Sequence, residues 1–130
     1  MKSLIIIVSV LTVMTMVYSF NADRTRKFKN AVAECIKELD GSPLEPTKEI
    51  IYCTLKKDGQ VIDKNNIYQK EEAHKVLRDI FSDSANLEKS MKIHDECFDK
   101  GMQGKGTDED KARNIAYCTL PIMVMFSKQE

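Results

Sequence analysis

The sequence predicts an all-α fold, a compact bundle of five to six helices stapled by two disulfides, and three observations carry that expectation. Apolar residues recur at steps of three and four in one segment after another, the spacing of a helix face. Alternating runs of β-branched residues, the mark of half-buried strands, are missing. Four cysteines, Cys35, Cys53, Cys97 and Cys118, follow a leader that points to an oxidising compartment.

The leader comes first in the chain. Lys2 supplies a short positive region, Leu4 to Val17 is uncharged and mostly apolar, and Val17-Tyr18-Ser19 suits a signal peptidase. Residues 1–19 are therefore expected to be a signal peptide cleaved after Ser19. The run is short and interrupted by Ser9, Thr12 and Thr15, whereas a membrane span needs about 20 apolar residues. The remaining 111 residues, Phe20 to Glu130, suit a single domain in residues 20–130. They carry 19 basic and 20 acidic side chains, a balance that argues against nucleic acid as a partner. No membrane association is expected of the mature chain, and its expected location is extracellular.

The first helix is expected from about Ala22 to Leu39, capped by Asn21 or Asp23, with Phe28, Ala31, Val32, Cys35, Ile36 and Leu39 on its inner face and Asp40-Gly41 as its stop. Ser42-Pro43-Leu44-Glu45-Pro46 reads as a rigid connector with one helical turn at Pro43. Thr47 caps a short helix over Lys48 to Lys57 that buries Ile50, Ile51, Thr54 and Leu55 and ends at Asp58-Gly59. Val61 and Ile62 plug the loop beyond. A helix over Asn66 to Phe81 presents Ile67, Ala73, Val76, Leu77, Ile80 and Phe81. Ser84 caps the next, Ala85 to Lys100, with Leu87, Met91, His94, Cys97 and Phe98 inward. Gly101 to Gly106 is expected as a flexible loop; no strand precedes it and no Lys-Ser/Thr pair closes it, so it is not read as a phosphate cradle. Thr107 and Asp110 resemble a capping box for a last helix carrying Ala112, Ile115, Ala116 and Thr119, which Pro121 ends or kinks. The apolar tail Ile122-Met123-Val124-Met125-Phe126 should fold back onto the domain, as packed core or as a cavity wall.

Four cysteines allow three pairings. Pairing Cys35 with Cys53 and Cys97 with Cys118 would pin two helix pairs, each across one loop of about 20 residues, for roughly 3 kcal/mol apiece. Staples of that kind let a small chain tolerate a hollow interior. No CxxC occurs and only His74 and His94 are present, so no zinc site is expected, and no cofactor either. Histidine is the side chain whose charge ordinarily changes between pH 5 and 8, so a pocket loosened under acid through His74 or His94 is one expectation, although a lone helix histidine is ordinarily a surface or satisfied side chain.

The cysteine pattern resembles the insect odorant-binding protein family in a reduced, four-cysteine form. Ile51-Tyr52-Cys53-Thr54-Leu55-Lys56-Lys57-Asp58-Gly59 resembles the stretch around the family's third cysteine, and Ala112-Arg113-Asn114-Ile115-Ala116-Tyr117-Cys118 the approach to its sixth. Cys35 and Cys97 match the first and fourth. The absent second and fifth, which pair with each other in the family, would fall at Glu49 and Glu109. The resemblance implies the Cys35–Cys53 and Cys97–Cys118 pairing. Only 17 residues separate Cys35 from Cys53, which implies a family second helix cut down to the Pro43–Pro46 region. Val32-Ala33-Glu34-Cys35, Ile36-Lys37-Glu38-Leu39 and Ile50-Ile51-Tyr52-Cys53 are similar to the ant venom allergen branch of the same fold.

The resemblance implies a secreted carrier that encloses a small apolar ligand, an odorant, pheromone or similar molecule, among its helices. A receptor or a second copy is the other partner to consider. Helical bundles hold such ligands in mainly apolar pockets. The candidate walls are Leu55, Val76, Leu77, Ile80, Phe81, Met91, Phe98, Ile115, Ile122 and Met123, with Thr119 or Tyr117 as a polar handle. Each apolar position is equally a core position. The rival is a venom or salivary interaction protein that uses the same fold without a dedicated small ligand. An enzyme is not expected. His94-Asp95-Glu96-Cys97-Phe98-Asp99 is similar to the His-Asp motif of secreted phospholipases A2. However, Ser90 and Met91 stand where that motif carries cysteines, and no calcium loop precedes it.

Overall fold

The computed structural model describes residues 20–42 and 45–129. The expected signal peptide, the helical turn expected at Pro43 and the terminal Glu130 lie outside these residues. Among the described residues six helices follow one another, α1 (Ala22–Glu38), α2 (Lys48–Asp58), α3 (Lys70–Ile80), α4 (Ser84–Gln103), α5 (Asp108–Cys118) and α6 (Leu120–Ser127). Among the described residues no strand forms. The disulfides are Cys35–Cys53, which ties α1 to α2, and Cys97–Cys118, which ties α4 to α5.

Local chemistry sets most boundaries as expected. Asn21 caps α1 through its side chain, Thr47 caps α2, and Gly59 ends α2 at a φ of 78°, a left-handed conformation that costs glycine little. Thr107 and Asp110 form a full capping box on α5. The Asp110 carboxyl is held below its usual range, first by the Thr107 backbone N–H and then by the Thr107 hydroxyl.

Five expectations need correction. Asp83, not Ser84, caps α4, its carboxylate accepting from the Ala85 and Asn86 N–H groups. At the end of α1 it is Asp40, not Gly41, that turns left-handed, at a φ of 52°. Gly41 instead serves close approach, because a Cβ there would lie 2.7 Å from Ile50 Cδ1. Leu39, placed on the inner face of α1, is half exposed beyond the helix end. α3 begins at Lys70 rather than Asn66: Asn66 is left-handed, Ile62 and Tyr68 pair in an isolated bridge, and Ile67 is turned outward. The segment before α3 thus spends its backbone groups on a turn, with the Asp63 carboxylate accepting from the Asn65 and Ile67 N–H groups.

The fifth correction concerns α4. Its buried face is Ser90, His94, Cys97 and Gly101, while Leu87, Met91 and Phe98 are only partly buried. At Gly101 this face is small because α5 lies close against it. A Cβ on Gly101 would run into the Ile115 side chain. Gly101 therefore belongs to the helix and not to a flexible loop.

α5 is the centre of the bundle, with Ala112, Ile115 and Ala116 entirely buried. Two polar ties fix what surrounds it. Arg24 on α1 forms a two-bonded pair with Asp58 at the end of α2, Nη1 to Oδ1 at 2.8 Å and Nη2 to Oδ2 at 2.5 Å, and donates through Nε to Gln60. The free carbonyls at the end of α3 are claimed by the start of α1 and by the segment after α6: Asp79 O accepts from the Asn21 N–H and the Thr25 hydroxyl, and Ile80 O from Gln129. The C-terminal segment folds back as expected, breaking at Thr119 and resuming as α6 with Pro121 in its first turn. Ile122, Met123 and Phe126 face the core, where the Phe126 ring meets Phe28 and Phe81 edge-on.

Candidate functional site

The apolar faces of these elements leave a small cavity near the middle of the domain, of about 50 Å³, and a wider space of about 410 Å³ with exposed Lys29 and Ser127 in its wall lies between α1, α2 and the C-terminal segment. Leu55 lines the small cavity from α2, Val76, Leu77 and Ile80 from α3, Thr119 from the break after α5, and Ile122 and Met123 from α6. All seven are among the walls expected from sequence. Phe81, Met91, Phe98 and Ile115 do not line it. Phe81 and Ile115 are packed core, and Met91 and Phe98 lie at the partly buried edge of α4. Sequence reasoning did not include Phe28, Ile51, Val61, Tyr68, Ala73, His94 and Phe126, which complete the wall. Phe28 and Phe126 could have been found as the largest apolar residues on their helices. Tyr68 could not, because its inward direction depends on the bridge to Ile62.

Thr119 offers the cavity no free donor, since its hydroxyl donates to Ala116 O at 2.7 Å. Tyr117, the other expected handle, lies outside the cavity, edge-on to Tyr52.

The polar corner of the cavity is built from residues that are far apart in sequence. The buried Tyr68 hydroxyl donates to His94 Nε2 at 2.8 Å. His94 Nδ1 faces Asp95 Oδ1 at 3.1 Å, and the same oxygen accepts from His74 Nε2 at 2.7 Å. His74 comes from α3 and the other two from α4, so packing of the two helices assembles the cluster. Burial lowers the basicity of His94, more than the Asp95 carboxylate restores it. Burial raises the Tyr68 phenol out of reach of neutral pH. For Asp95, burial acts upward, but hydrogen bonds from both histidines outweigh it and hold the carboxyl below its usual range. A neutral His94 with its proton on Nδ1 satisfies every contact.

This chemistry shapes expectations for the site. The Tyr68 hydroxyl is a protonated donor, not an activated nucleophile. The His-Asp pair, legible in the sequence, does not project into an open cleft: His94 is buried and committed through both ring nitrogens. The donor atoms of His74, His94 and Asp95 lie within 4.8 Å of one another.

An all-helical bundle with two staples, each across adjacent helices, and a nearly filled interior defines a small disulfide-stabilised helical protein. The profile of the ant venom allergen Sol i 2 family matches residues 34–123, from α1 into α6, and the chain belongs to that family. It is 26% identical over 125 residues to a venom allergen 2 of Solenopsis saevissima, spanning 92% of this chain and 90% of the relative. It is 27% identical over 100 residues to a venom allergen 2 of Solenopsis richteri, spanning 73% of this chain and 84% of the relative. No solved structure matches the chain at a significant level. Among the described residues no helix is long and apolar enough to cross a membrane.

Proposed function

We propose that this chain is a secreted venom protein whose stapled helical body acts as a rigid scaffold, recognising its partner through its surface and not through an enclosed ligand. Its family and its venom allergen relatives support the venom setting. The leader and the two disulfides support secretion. The observation that carries the surface reading is the small size of the cavity among the apolar helix faces; the wider space between α1, α2 and the C-terminal segment is walled partly by exposed Lys29 and Ser127 and belongs to the surface. About 50 Å³ holds a few waters, whereas ligand pockets occupy roughly 300–1,000 Å³ and even benzene takes an apolar cavity of about 150 Å³. The reading includes no enzymatic role: the histidine that would act as a base is buried, and the hydroxyl beside it stays protonated.

A second reading, the apolar-ligand carrier of the odorant-binding type, draws on one specific feature. The cavity wall is apolar from α1, α2, α3 and α6, with a single polar corner at Tyr68 and His94. A carrier needs that interior to swell several-fold. Titration with a phenylnaphthylamine probe separates the two. The surface reading expects no saturable fluorescence gain at micromolar protein. A stoichiometric gain, reversed by small apolar compounds, favours the carrier.

A further inference from the structure

We propose that His74, His94 and Asp95 form a binding site for a borderline divalent metal ion, with zinc as the reference case. Two imidazole nitrogens and a carboxylate oxygen are donors that zinc and copper accept and that calcium and magnesium do not prefer. The three atoms already converge. Asp95 Oδ1 lies 2.7 Å from His74 Nε2 and 3.1 Å from His94 Nδ1. Around a tetrahedral ion with bonds of about 2.0–2.2 Å, neighbouring ligand atoms stand roughly 3.3–3.6 Å apart. The cluster therefore needs to open by roughly 0.6–0.9 Å between His74 and Asp95 and by roughly 0.2–0.5 Å between His94 and Asp95.

What lies behind the ligands makes this more than a meeting of polar groups. A metal-bound histidine ordinarily donates its other ring N–H to a fixed acceptor, which holds the ring in place. Here Tyr68 fills that position, 2.8 Å from His94 Nε2. A phenol both donates and accepts. In the metal-free chain its O–H donates to Nε2. With a metal on Nδ1, the proton of His94 moves to Nε2, which then donates to the phenol oxygen. His74 likewise has to move its proton from Nε2, where it faces Asp95, to Nδ1, and the phenol proton of Tyr68 has to turn away from Nε2. The Tyr68 and Phe98 rings stack against the His94 ring on interplanar angles of 24° each and restrict its rotation.

Access is graded. His94 is buried, the His74 side chain is 17% exposed and that of Asp95 45% exposed. An ion reaches the donors from the Asp95 side, and water or a partner's donor group completes its shell there. Lys70, whose ammonium lies over the Phe98 ring, is the nearby cation that opposes binding. The site spans α3 and α4, so the ion would brace those helices where no disulfide does.

The test is isothermal titration of zinc chloride into the metal-free, disulfide-bonded chain, alongside Asp95→Asn, His74→Gln and Tyr68→Phe variants whose folding is checked by near-ultraviolet dichroism. The expected result is one equivalent bound in the micromolar range, and affinity roughly tenfold or more weaker in each variant. Cobalt should give the visible absorption of a four- or five-coordinate site in the parent chain, lost in Asp95→Asn. Zinc should also raise the melting temperature of the parent and not of the ligand variants. An absence of saturable heat below millimolar zinc, or affinity unchanged in folded Asp95→Asn and His74→Gln chains, would overturn the proposal.

Discussion

Phe126→Ala is expected to lower the stability of the domain by about 3–5 kcal/mol, the usual range for deleting a buried phenylalanine ring. Phe126 is 4% exposed, sits edge-on to Phe28 at 5.3 Å and to Phe81 at 6.1 Å between ring centroids, and lines the cavity. Its removal takes away the contact that joins α6 to α1 and to the end of α3. It also merges the space of the lost ring with the existing cavity, giving a void on the order of 150 Å³, the size that takes up benzene. Urea unfolding should show a lower midpoint with an unchanged slope, and benzene should shift core resonances of the variant and not of the parent. A loss below about 1 kcal/mol, well outside that range, would mean that α6 is not docked as described.

The second large effect is expected from opening the Cys97–Cys118 staple. The bond closes 21 residues of chain, and the loop-closure model assigns it about 3 kcal/mol through the unfolded state. The substitution has to respect burial. Cys97 is buried, so alanine is the suitable replacement and avoids leaving a hydroxyl without a partner. Cys118 is exposed and tolerates serine. For a domain of this size the Cys97→Ala, Cys118→Ser variant should melt on the order of 10–20 °C lower. The loss should appear chiefly in α4 and α5, whose connection at Gly104–Gly106 is exposed. Calorimetric scans under non-reducing conditions measure it directly. An unchanged melting temperature would show that the α4–α5 packing at Gly101 and Ile115 is sufficient without the bond.

The sequence made much of this fold legible, and the exceptions have physical causes. Helices with strong caps were readable because a cap is local chemistry: Thr47, Gly59, and Thr107 with Asp110 act within a few residues of themselves. Helix order favoured the observed disulfide pairing by placing each pair across one loop, and the family resemblance implied the same pairing. α4 was misread because apolar periodicity selects large side chains, whereas the face it buries was chosen for closeness. Gly101 sits inward where α5 approaches, Ser90 is buried on the same face, and Leu87, Met91 and Phe98 are displaced toward the rim. The start of α3 was misplaced because Asn66 takes a left-handed turn and Tyr68 joins a bridge, two events that periodicity does not register.

The candidate site divides along the same line. Leu55, Val76, Leu77, Ile80, Ile122 and Met123 reach the cavity because each lies on the inner face of a regular helix, where spacing is informative. Tyr68, His74, His94 and Asp95 meet only through tertiary packing of α3, α4 and the loop before α3. In the sequence, two histidines looked too few for a metal. In the fold, both reach one carboxylate. The volume left between helices is still less accessible to pattern reading, because it is the difference between backbone spacing and side-chain filling. The same apolar residues suit a hollow carrier and a filled scaffold.

Native mass spectrometry of the protein taken directly from its source tests the filled-interior account most directly. The expected spectrum is that of the chain with both disulfides intact and no organic molecule retained, whether or not a metal ion is present. A stoichiometric small apolar molecule released on gentle activation would contradict it and restore the carrier reading.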